Sequence, residues 1–215
     1  MVDNIMAQQS YNRFVNLDSI SERIINYLIK SDTIYANRLW KLLKYPENDA
    51  LLKQNLTQSE KAELVDNEKG DQSLKRVFRY PVLEDSFVVQ TSLLRIYLDS
   101  IIPQNHLVSV VNIGFDIVTH NKLSNVYNDS FDELENPDEF RAIESEIMLK
   151  SRNDVFLRNL LAELNGKDIE GVGQLQFDRK LSPFAQGKLG LFNNKNYSGY
   201  KVIIPCMQSG VSPYA

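Results

Sequence analysis

The sequence predicts an α+β fold, with a mostly antiparallel sheet, a packed amphipathic helix and a helical region before them. Apolar residues recur at helical spacing near the N-terminus and again from Arg152 to Leu164. Between these stretches, β-branched and aromatic residues alternate with polar ones, which is typical of strands with two unlike faces. Polar segments that contain glycine or proline separate the elements. The sequence therefore predicts helices first and a sheet with one central helix afterwards.

Residues 1–74 are predicted to form an N-terminal arm and a helical region. Met1–Asn16 is polar, and we expect it to become ordered only against a partner. Asp18 or Ser19 is expected to cap a helix that runs to about Lys30. The apolar stripe of this helix comprises Ile20, Ile24, Ile25 and Leu28.

Two further helices are predicted before the end of this region. Ser31-Asp32 is expected to cap the second helix, and Tyr45-Pro46 to end it, because proline disfavours the α conformation of the preceding residue. Thr57 and Glu60 have capping-box spacing and predict a third, short helix. The polar segment Asp66–Ser73 then predicts a boundary between residues 74 and 75. The apolar face of the second helix comprises Tyr35, Leu39, Leu42 and Leu43, with Trp40 alongside.

Residues 75–215 are predicted to form the α+β body, which starts with two strands. The first is Phe87–Leu98, and Pro103-Gln104-Asn105 is expected to turn the chain after it. Leu94, Ile96 and Leu98 lie on one of its faces, with Arg95 and Tyr97 on the other. The second strand, Leu107–Val118, is expected to have one buried face and one wet face. Its apolar side carries Val111, Ile113, Phe115 and Ile117, and its polar side Asn112, Gly114 and Asp116.

The stretch from Arg152 to Asp178 is predicted to be the centre of the body, as a helix, a glycine turn and a short strand. Ser151, Asn153 or Asp154 is expected to cap the helix, and Asn165-Gly166 to end it. The apolar stripe comprises Phe156, Leu157, Leu160, Leu161 and Leu164, opposite Arg158 and Asn159, with Glu163 at its edge. In the strand, Leu175 and Phe177 alternate with Gln174 and Gln176.

Two segments complete the body. Leu181–Ser198 is predicted to be a long irregular connection, and Tyr200–Met207 a final strand. Pro205 indicates an edge or an end of that strand, because proline has no N–H for a ladder hydrogen bond.

Composition favours a soluble globular protein, with 43% hydrophobic and 24% charged residues. The net charge of −4 argues against a generally basic nucleic-acid-binding surface, but not against a passage through which DNA slides. The single cysteine, Cys206, cannot form an intrachain disulfide, which favours an intracellular assembly site. No apolar run approaches the ~20 residues of a membrane helix. Met1–Gln9 also lacks the features of a signal peptide, so we expect no export and no membrane contact.

No residue pattern predicts a catalytic, cofactor-binding or metal-binding site. His106 and His120 flank one strand and are too far apart along it to share a metal, so structural or surface roles are expected. Cys206 lies in an apolar strand and is expected to be a packed thiol. Gly171-Val172-Gly173 precedes a strand rather than a helix, and Gly187-Lys188 lacks the other residues of a phosphate-binding loop.

The acidic segment Asn128–Glu146 leaves an alternative open. Asp138, Glu144 and Glu146 superficially resemble the carboxylates of a metal-dependent nuclease. Such a site requires a lysine two residues after its second acid, which this sequence lacks. A solvated acidic face or a surface between subunits, in a loop that leads into a helix near Asp138, is therefore expected.

A group of aromatic and basic residues also has two interpretations. A second packing surface, against the N-terminal helices or a neighbouring subunit, is the first expectation, and contact with nucleic acid is the alternative. The group comprises Arg76, Phe78, Arg79, Tyr80, Arg95 and Tyr97.

Four segments in this order resemble virion neck proteins of tailed bacteriophages, including head-completion and tail-terminator proteins. They are LWKLLKYPENDALLKQNLTQSEKAELV, SLLRIYLDSIIPQN, LRNLLAELNGKDIEGVGQLQFD and NNKNYSGYKVIIP. The resemblance implies a non-enzymatic structural protein that forms a six- or twelve-fold homo-oligomeric ring between head and tail, assembled in the host cytoplasm. It implies contacts with other neck, portal or tail proteins and non-specific contact with DNA in the lumen, and it carries over no site residue.

Two functions of other classes stay open beside this one. The first is a metal-dependent enzyme accessory to DNA processing or packaging, and the second is a free regulatory binding module.

Overall fold

The computed structural model describes residues 17–67, 71–80, 90–104, 108–127, 149–191 and 196–209. Among these residues it confirms the α+β class, with helices on one face of a mostly antiparallel sheet. Several predictions fall outside them: those for Met1–Asn16, His106, the acidic segment Asn128–Glu146 and the first residues of the strand predicted from Phe87. The α-helices are α1 (Ile20–Lys30), α2 (Ile34–Lys44), α3 (Gln58–Glu63) and α4 (Arg152–Leu164).

The main sheet has five strands in the order β1-β2-β3-β9-β8, and only the β1–β2 pair is parallel. Two small antiparallel sheets, β4-β5 and β6-β7, flank α4 in sequence. The strands are β1 (Val77–Phe78), β2 (Ser92–Pro103), β3 (Val108–His120), β4 (Asn125–Tyr127), β5 (Leu149–Ser151), β6 (Asp168–Ile169), β7 (Gly173–Gln174), β8 (Gln186–Leu191) and β9 (Tyr197–Ser209).

The helix ends follow the capping chemistry, with two corrections. Ser19 directly precedes α1, but no side chain caps this helix, and the Ser19 hydroxyl accepts from Arg23 Nε instead. The capping box of Thr57 and Glu60 is confirmed at the start of α3, as is the end of α2 at Tyr45. The cap predicted at Ser31-Asp32 is wrong, because the side chain of Thr33 accepts the hydrogen bond from the backbone N–H of Ala36. Tyr35, predicted on the apolar face of α2, is 39% exposed.

One hydrophobic core joins the helices to the sheet. The face of the sheet that packs on the helices is called the inner face below, and it is lined by Leu94, Ile96, Val111, Ile113, Phe115, Ile117, Val202 and Ile204. The predicted stripe of α4 is confirmed, since Phe156, Leu160 and Leu164 have no exposed surface. The same core contains residues of α1 and α2, so it is continuous across the boundary predicted between residues 74 and 75. The division into two parts stays a prediction.

Asn159 was expected on the solvent face of α4, and that expectation is wrong. Its side chain is fully buried and donates from Nδ2 to the carbonyl of Val155 at 2.8 Å. The amide thus finds its partner within its own helix, which allows a polar residue to lie in the packed layer.

The wet face predicted for β3 is also wrong. Asn112 is 0% and Asp116 1% exposed on the side that points away from the helices, which is called the outer face below. Large side chains from β2 explain part of this burial. The ring of Tyr97 lies so close to Gly114 that a Cβ at this glycine would be 2.6 Å from it.

Strand lengths in the last third of the chain differ from the predictions. The strand predicted around Leu175–Phe177 is limited to β7 and a single bridge from Leu175 to Cys206. The connection predicted to be irregular contains β8, which pairs with β9. β9 continues through Pro205 to Ser209, because the pairing with β8 ends at Ile203 and no N–H is required from Pro205 on that side.

The end of β2 is a further correction. Pro103 belongs to the strand rather than to a turn. Leu98 lies on the same face as Leu94 and Ile96, as predicted, but it is 37% exposed. The register between β2 and β3 shifts between Leu98 and Ser100, so Asp99 forms a bulge there.

Candidate functional site

The polar side chains of the described residues fall into two groups, one on each side of the sheet. On the helix side, Arg152 is the first residue of α4 and has no exposed surface. Its Nη1 donates to the carbonyls of Leu42 and Tyr45 at 3.0 and 2.9 Å. Its Nη2 donates to those of Pro46 and Glu47 at 3.1 and 2.6 Å.

Arg152 therefore fixes the C-terminal end of α2 against the N-terminal end of α4. The last carbonyls of a helix have no partner within the helix, and a cation is favoured beside them. Burial lowers the pKa of the Arg152 guanidinium to about 10. The side chain therefore stabilises the fold.

Glu163, near the end of α4, forms the second polar joint of the helix side. Its carboxylate is 1% exposed and accepts from the hydroxyls of Tyr27 at 2.8 Å, Ser31 at 2.7 Å and Thr33. Lys61 of α3 donates to the carbonyl of Ser31 at 2.9 Å. Burial, together with the hydrogen bond to Glu163, raises the pKa of the Tyr27 phenol to about 12.

The joint at Glu163 connects α4 to the turn between α1 and α2. Each of the three hydroxyls donates to one carboxylate, and the carboxylate uses both of its oxygens. A buried charge is tolerated when it is hydrogen-bonded in this way. The arrangement holds three helices together and presents no free nucleophile or base to a ligand.

The outer face of the sheet carries a row of four charged residues, one from each of four neighbouring strands. The register places Arg95 of β2 opposite Asp116 of β3, Asp116 opposite Lys201 of β9, and Lys201 opposite Lys188 of β8. We call these four residues the outer row. Arg95 Nη2 lies 2.7 Å from Asp116 Oδ2, and both side chains are buried.

The two ends of the outer row differ. The hydroxyl of Tyr97 is 3.2 Å from each oxygen of Asp116, so this carboxylate has two partners. Burial raises the pKa of the Asp116 carboxyl, and Arg95 and Lys201 oppose that change. Lys188 and Lys201 are exposed and directly opposite each other, and neither forms a salt bridge with a carboxylate of the described residues.

A groove of about 380 Å³ lies beside the two lysines. Besides them it is lined by the ring of Tyr97, by Asp99, and by residues of β8 and β9 that include Gln186 and Ile203. The Asp99 carboxylate accepts from the hydroxyl of Ser100 at 2.9 Å. The groove thus combines two cations, one anion, an aromatic ring and three aliphatic side chains, those of Leu189, Val202 and Ile203.

The residues singled out from the sequence mostly have structural roles. His120 is 7% exposed, packs edge-to-face on Tyr197 at 5.1 Å, and accepts at Nδ1 from the backbone N–H of Lys122. Burial lowers the pKa of its imidazole. Cys206 is fully buried, as predicted for a packed thiol. Gly171, in the turn between β6 and β7, has a φ of 75°, and Gly173, the first residue of β7, has a φ of 88°.

The aromatic and basic group does not form one surface. Phe78 packs with Leu93, Val118 and Tyr197 in a small outer cluster, whereas Arg76 donates to backbone carbonyls next to it. Phe78 and Tyr80 pack edge-to-face with their ring centroids 5.7 Å apart. Arg95 and Tyr97 come together separately, at Asp116. The lysines beside them were not predicted, because the sequence does not show which strands are neighbours.

In the part of the chain that the structure describes, no three His, Cys, Asp or Glu side chains are arranged to hold a metal ion. Asp138, Glu144 and Glu146 lie outside that part. None of the helices there has the length and apolar character needed to span a membrane.

A family model provides the decisive comparison, since the YomW model matches residues 36–206. The chain belongs to the YomW family. This family is phage-derived, so the resemblance to phage proteins is confirmed at that level. No curated protein and no solved structure matches the chain.

The part that matches the YomW family begins in α2 and ends in β9. It contains Arg152, Glu163 and the whole outer row. Tyr27, Ser31 and Thr33 precede it, so Glu163 of the YomW part receives all three of its hydroxyl donors from residues before the match.

Proposed function

We propose that this YomW-family protein is a non-enzymatic structural protein of a phage virion. It forms a homo-oligomeric ring of six or twelve copies in the neck, where it joins the DNA-filled head to the tail. The phage-derived family and the resemblance of four segments to neck proteins support this proposal. The observation that carries it is the pair of exposed strand edges on opposite sides of the main sheet.

The first edge is the far half of β2. Leu94 and Ile96 are buried, but Leu98 is 37% exposed and Ile101 and Ile102 are only partly buried. On the side away from β3, the described residues pair with β2 only at Leu94 and Arg95. An open strand edge with apolar side chains favours pairing with another chain.

The second edge is β8, the last strand on the other side of the sheet. β8 pairs with β9, and the described residues place no strand on its other edge. Leu189 is 57% and Phe184 48% exposed beside it. A contact between β2 of one copy and β8 of the next joins two different surfaces. Such heterologous contacts produce a ring when the rotation between copies closes.

Substitutions at the two edges test this assembly. We expect Leu98→Lys and Leu189→Lys to yield folded protein that fails to assemble into particles, because lysine disfavours strand pairing at an edge. The measurement is complementation of a phage that lacks the gene, with particle counts and thermal melting of each purified variant.

Leu52→Lys is the matched control, since Leu52 is 49% exposed but lies in the helical region. It should assemble like the unmodified protein. Normal particle counts with both edge variants would contradict the proposed interface.

The other two functions are tested on the purified protein and on particles. A metal-dependent DNA-processing enzyme would cleave linear or supercoiled DNA when Mg²⁺ or Mn²⁺ is added, and a virion structural protein would not. A free regulatory module would be absent from purified virions. Detection of the chain in virions by mass spectrometry, without metal-dependent cleavage, is the result that the proposal requires.

A further inference from the structure

We infer that the groove beside Lys188 and Lys201 binds the phosphate backbone of nucleic acid, independently of base sequence. Two lysines directly opposite each other on neighbouring strands have Cβ atoms about 5 Å apart and repel each other. This arrangement costs stability in the free protein. An anion placed between the two ammonium groups would remove the repulsion.

The partners of the neighbouring charges explain why the anion must come from outside. Asp116 is the carboxylate nearest to Lys201 in the outer row, but it is buried and committed to Arg95 at 2.7 Å and to the hydroxyl of Tyr97. Asp99 also lines the groove, where it accepts from Ser100. The groove therefore carries a net positive charge, because two lysines and one carboxylate line it.

The chemistry of the groove favours a phosphodiester over an acidic peptide. The two-pronged donor of arginine matches carboxylate and phosphate alike, but Arg95 is already used by Asp116, so the groove offers lysines. Lysine binds phosphate as a point charge. The ring of Tyr97 and the side chain of Ile203 add an apolar wall beside the cations. Sequence-independent binding sites for nucleic acid combine such a wall with basic residues.

The proposed function identifies the nucleic acid as DNA that passes through a ring, and the assignment of this ligand rests on that function. It does not require the ring for its test. A ring in the virion whose protein does not bind DNA would overturn this inference alone. DNA binding by a protein that is absent from virions would overturn the proposed ring, but it would support the proposed DNA-binding site.

The test is fluorescence anisotropy of labelled single- and double-stranded oligonucleotides with the full chain, over a series of salt concentrations. We expect Lys188→Gln combined with Lys201→Gln to weaken binding about tenfold or more at low salt. The slope of log affinity against log salt should fall by about two, one for each lost phosphate contact.

Lys30→Gln combined with Lys167→Gln is the matched control, because both lysines are exposed, lie on the helix side and change the net charge equally. This control should bind like the unmodified protein. Equal weakening in both double variants would overturn the site. Poly-glutamate that binds as tightly as DNA through Lys188 and Lys201 would overturn the assignment to nucleic acid.

Discussion

The inner and outer sides of the sheet treat charged residues differently. On the inner side, Glu163 accepts three hydroxyl hydrogen bonds, and Arg152 donates to four carbonyls. On the outer side, Arg95 and Asp116 form an equally buried pair, but Lys188 and Lys201 repel each other at its end. Charges with several close partners stabilise the fold, whereas two facing like charges indicate a surface that meets another molecule.

The largest effect is expected from removal of the guanidinium on the inner side. Arg152→Ala leaves four carbonyls at the end of α2 without their donor and a cavity inside the protein. We expect the free energy of unfolding to fall by about 3–5 kcal/mol. Urea denaturation followed by circular dichroism measures it. A loss below about 1 kcal/mol would show that water replaces the guanidinium.

The next effect concerns the packing of α4 on the inner face. Leu160 has no exposed surface, and its replacement by alanine should cost about 2–5 kcal/mol. Arg158 is exposed on the same helix, and Arg158→Ala should stay within about 0.5 kcal/mol. Thermal melting of both variants gives the contrast. Equal melting curves for Leu160→Ala and the unmodified protein would contradict the core position of this leucine.

The inner side was largely predictable from sequence because its signals are local. The periodicity of Phe156, Leu160 and Leu164 placed α4, and the spacing of Thr57 and Glu60 placed the start of α3. The four carbonyl partners of Arg152 lie more than 100 residues away in sequence, so no local pattern could indicate them.

The outer side was mostly not predictable. Asp116 is paired with Arg95 and Tyr97 of β2, and Asn112 donates to the hydroxyl of Ser100 on the same strand. Alternation within β3 only shows that Asn112 and Asp116 share a face. The pairing of Lys188 with Lys201 requires the register of β8 on β9. Register follows from tertiary packing, which is why the candidate site was missed.

A smaller loss of stability is expected when the hydroxyl of Tyr27 is removed and its ring is kept. Tyr27→Phe leaves Glu163 with two donors, and we expect a loss of about 1–2 kcal/mol at neutral pH. The folded-state pKa of Tyr27 is raised to about 12 from its ordinary value of 10. Its contribution is therefore complete below pH 10 and is lost as the pH rises towards 12.

Unfolding free energies of the unmodified protein and Tyr27→Phe between pH 8 and pH 12 provide the measurement. The difference between the two proteins should be constant up to about pH 10 and then shrink. A difference that grows with pH would contradict the assigned hydrogen bond.

The smallest change in the free energy of unfolding is expected from a substitution on the outer face, and it is a gain rather than a loss. Lys188→Glu replaces a like-charge pair with an attractive pair across β8 and β9, and should raise the free energy of unfolding by about 0.2–1 kcal/mol. The gain should shrink at high salt, because both side chains are exposed. Destabilisation by this substitution would show that Lys188 serves the fold, like the charges of the inner side.

The central claim is that the exposed edges of the sheet are completed by neighbouring copies in the neck of a virion. Electron cryomicroscopy of purified particles that contain the chain tests it directly. The proposal requires a closed ring of six or twelve copies between head and tail, with the far half of β2 in each copy against β8 of the next. One or two copies without cyclic order, or a ring whose contacts leave both edges open, would contradict it.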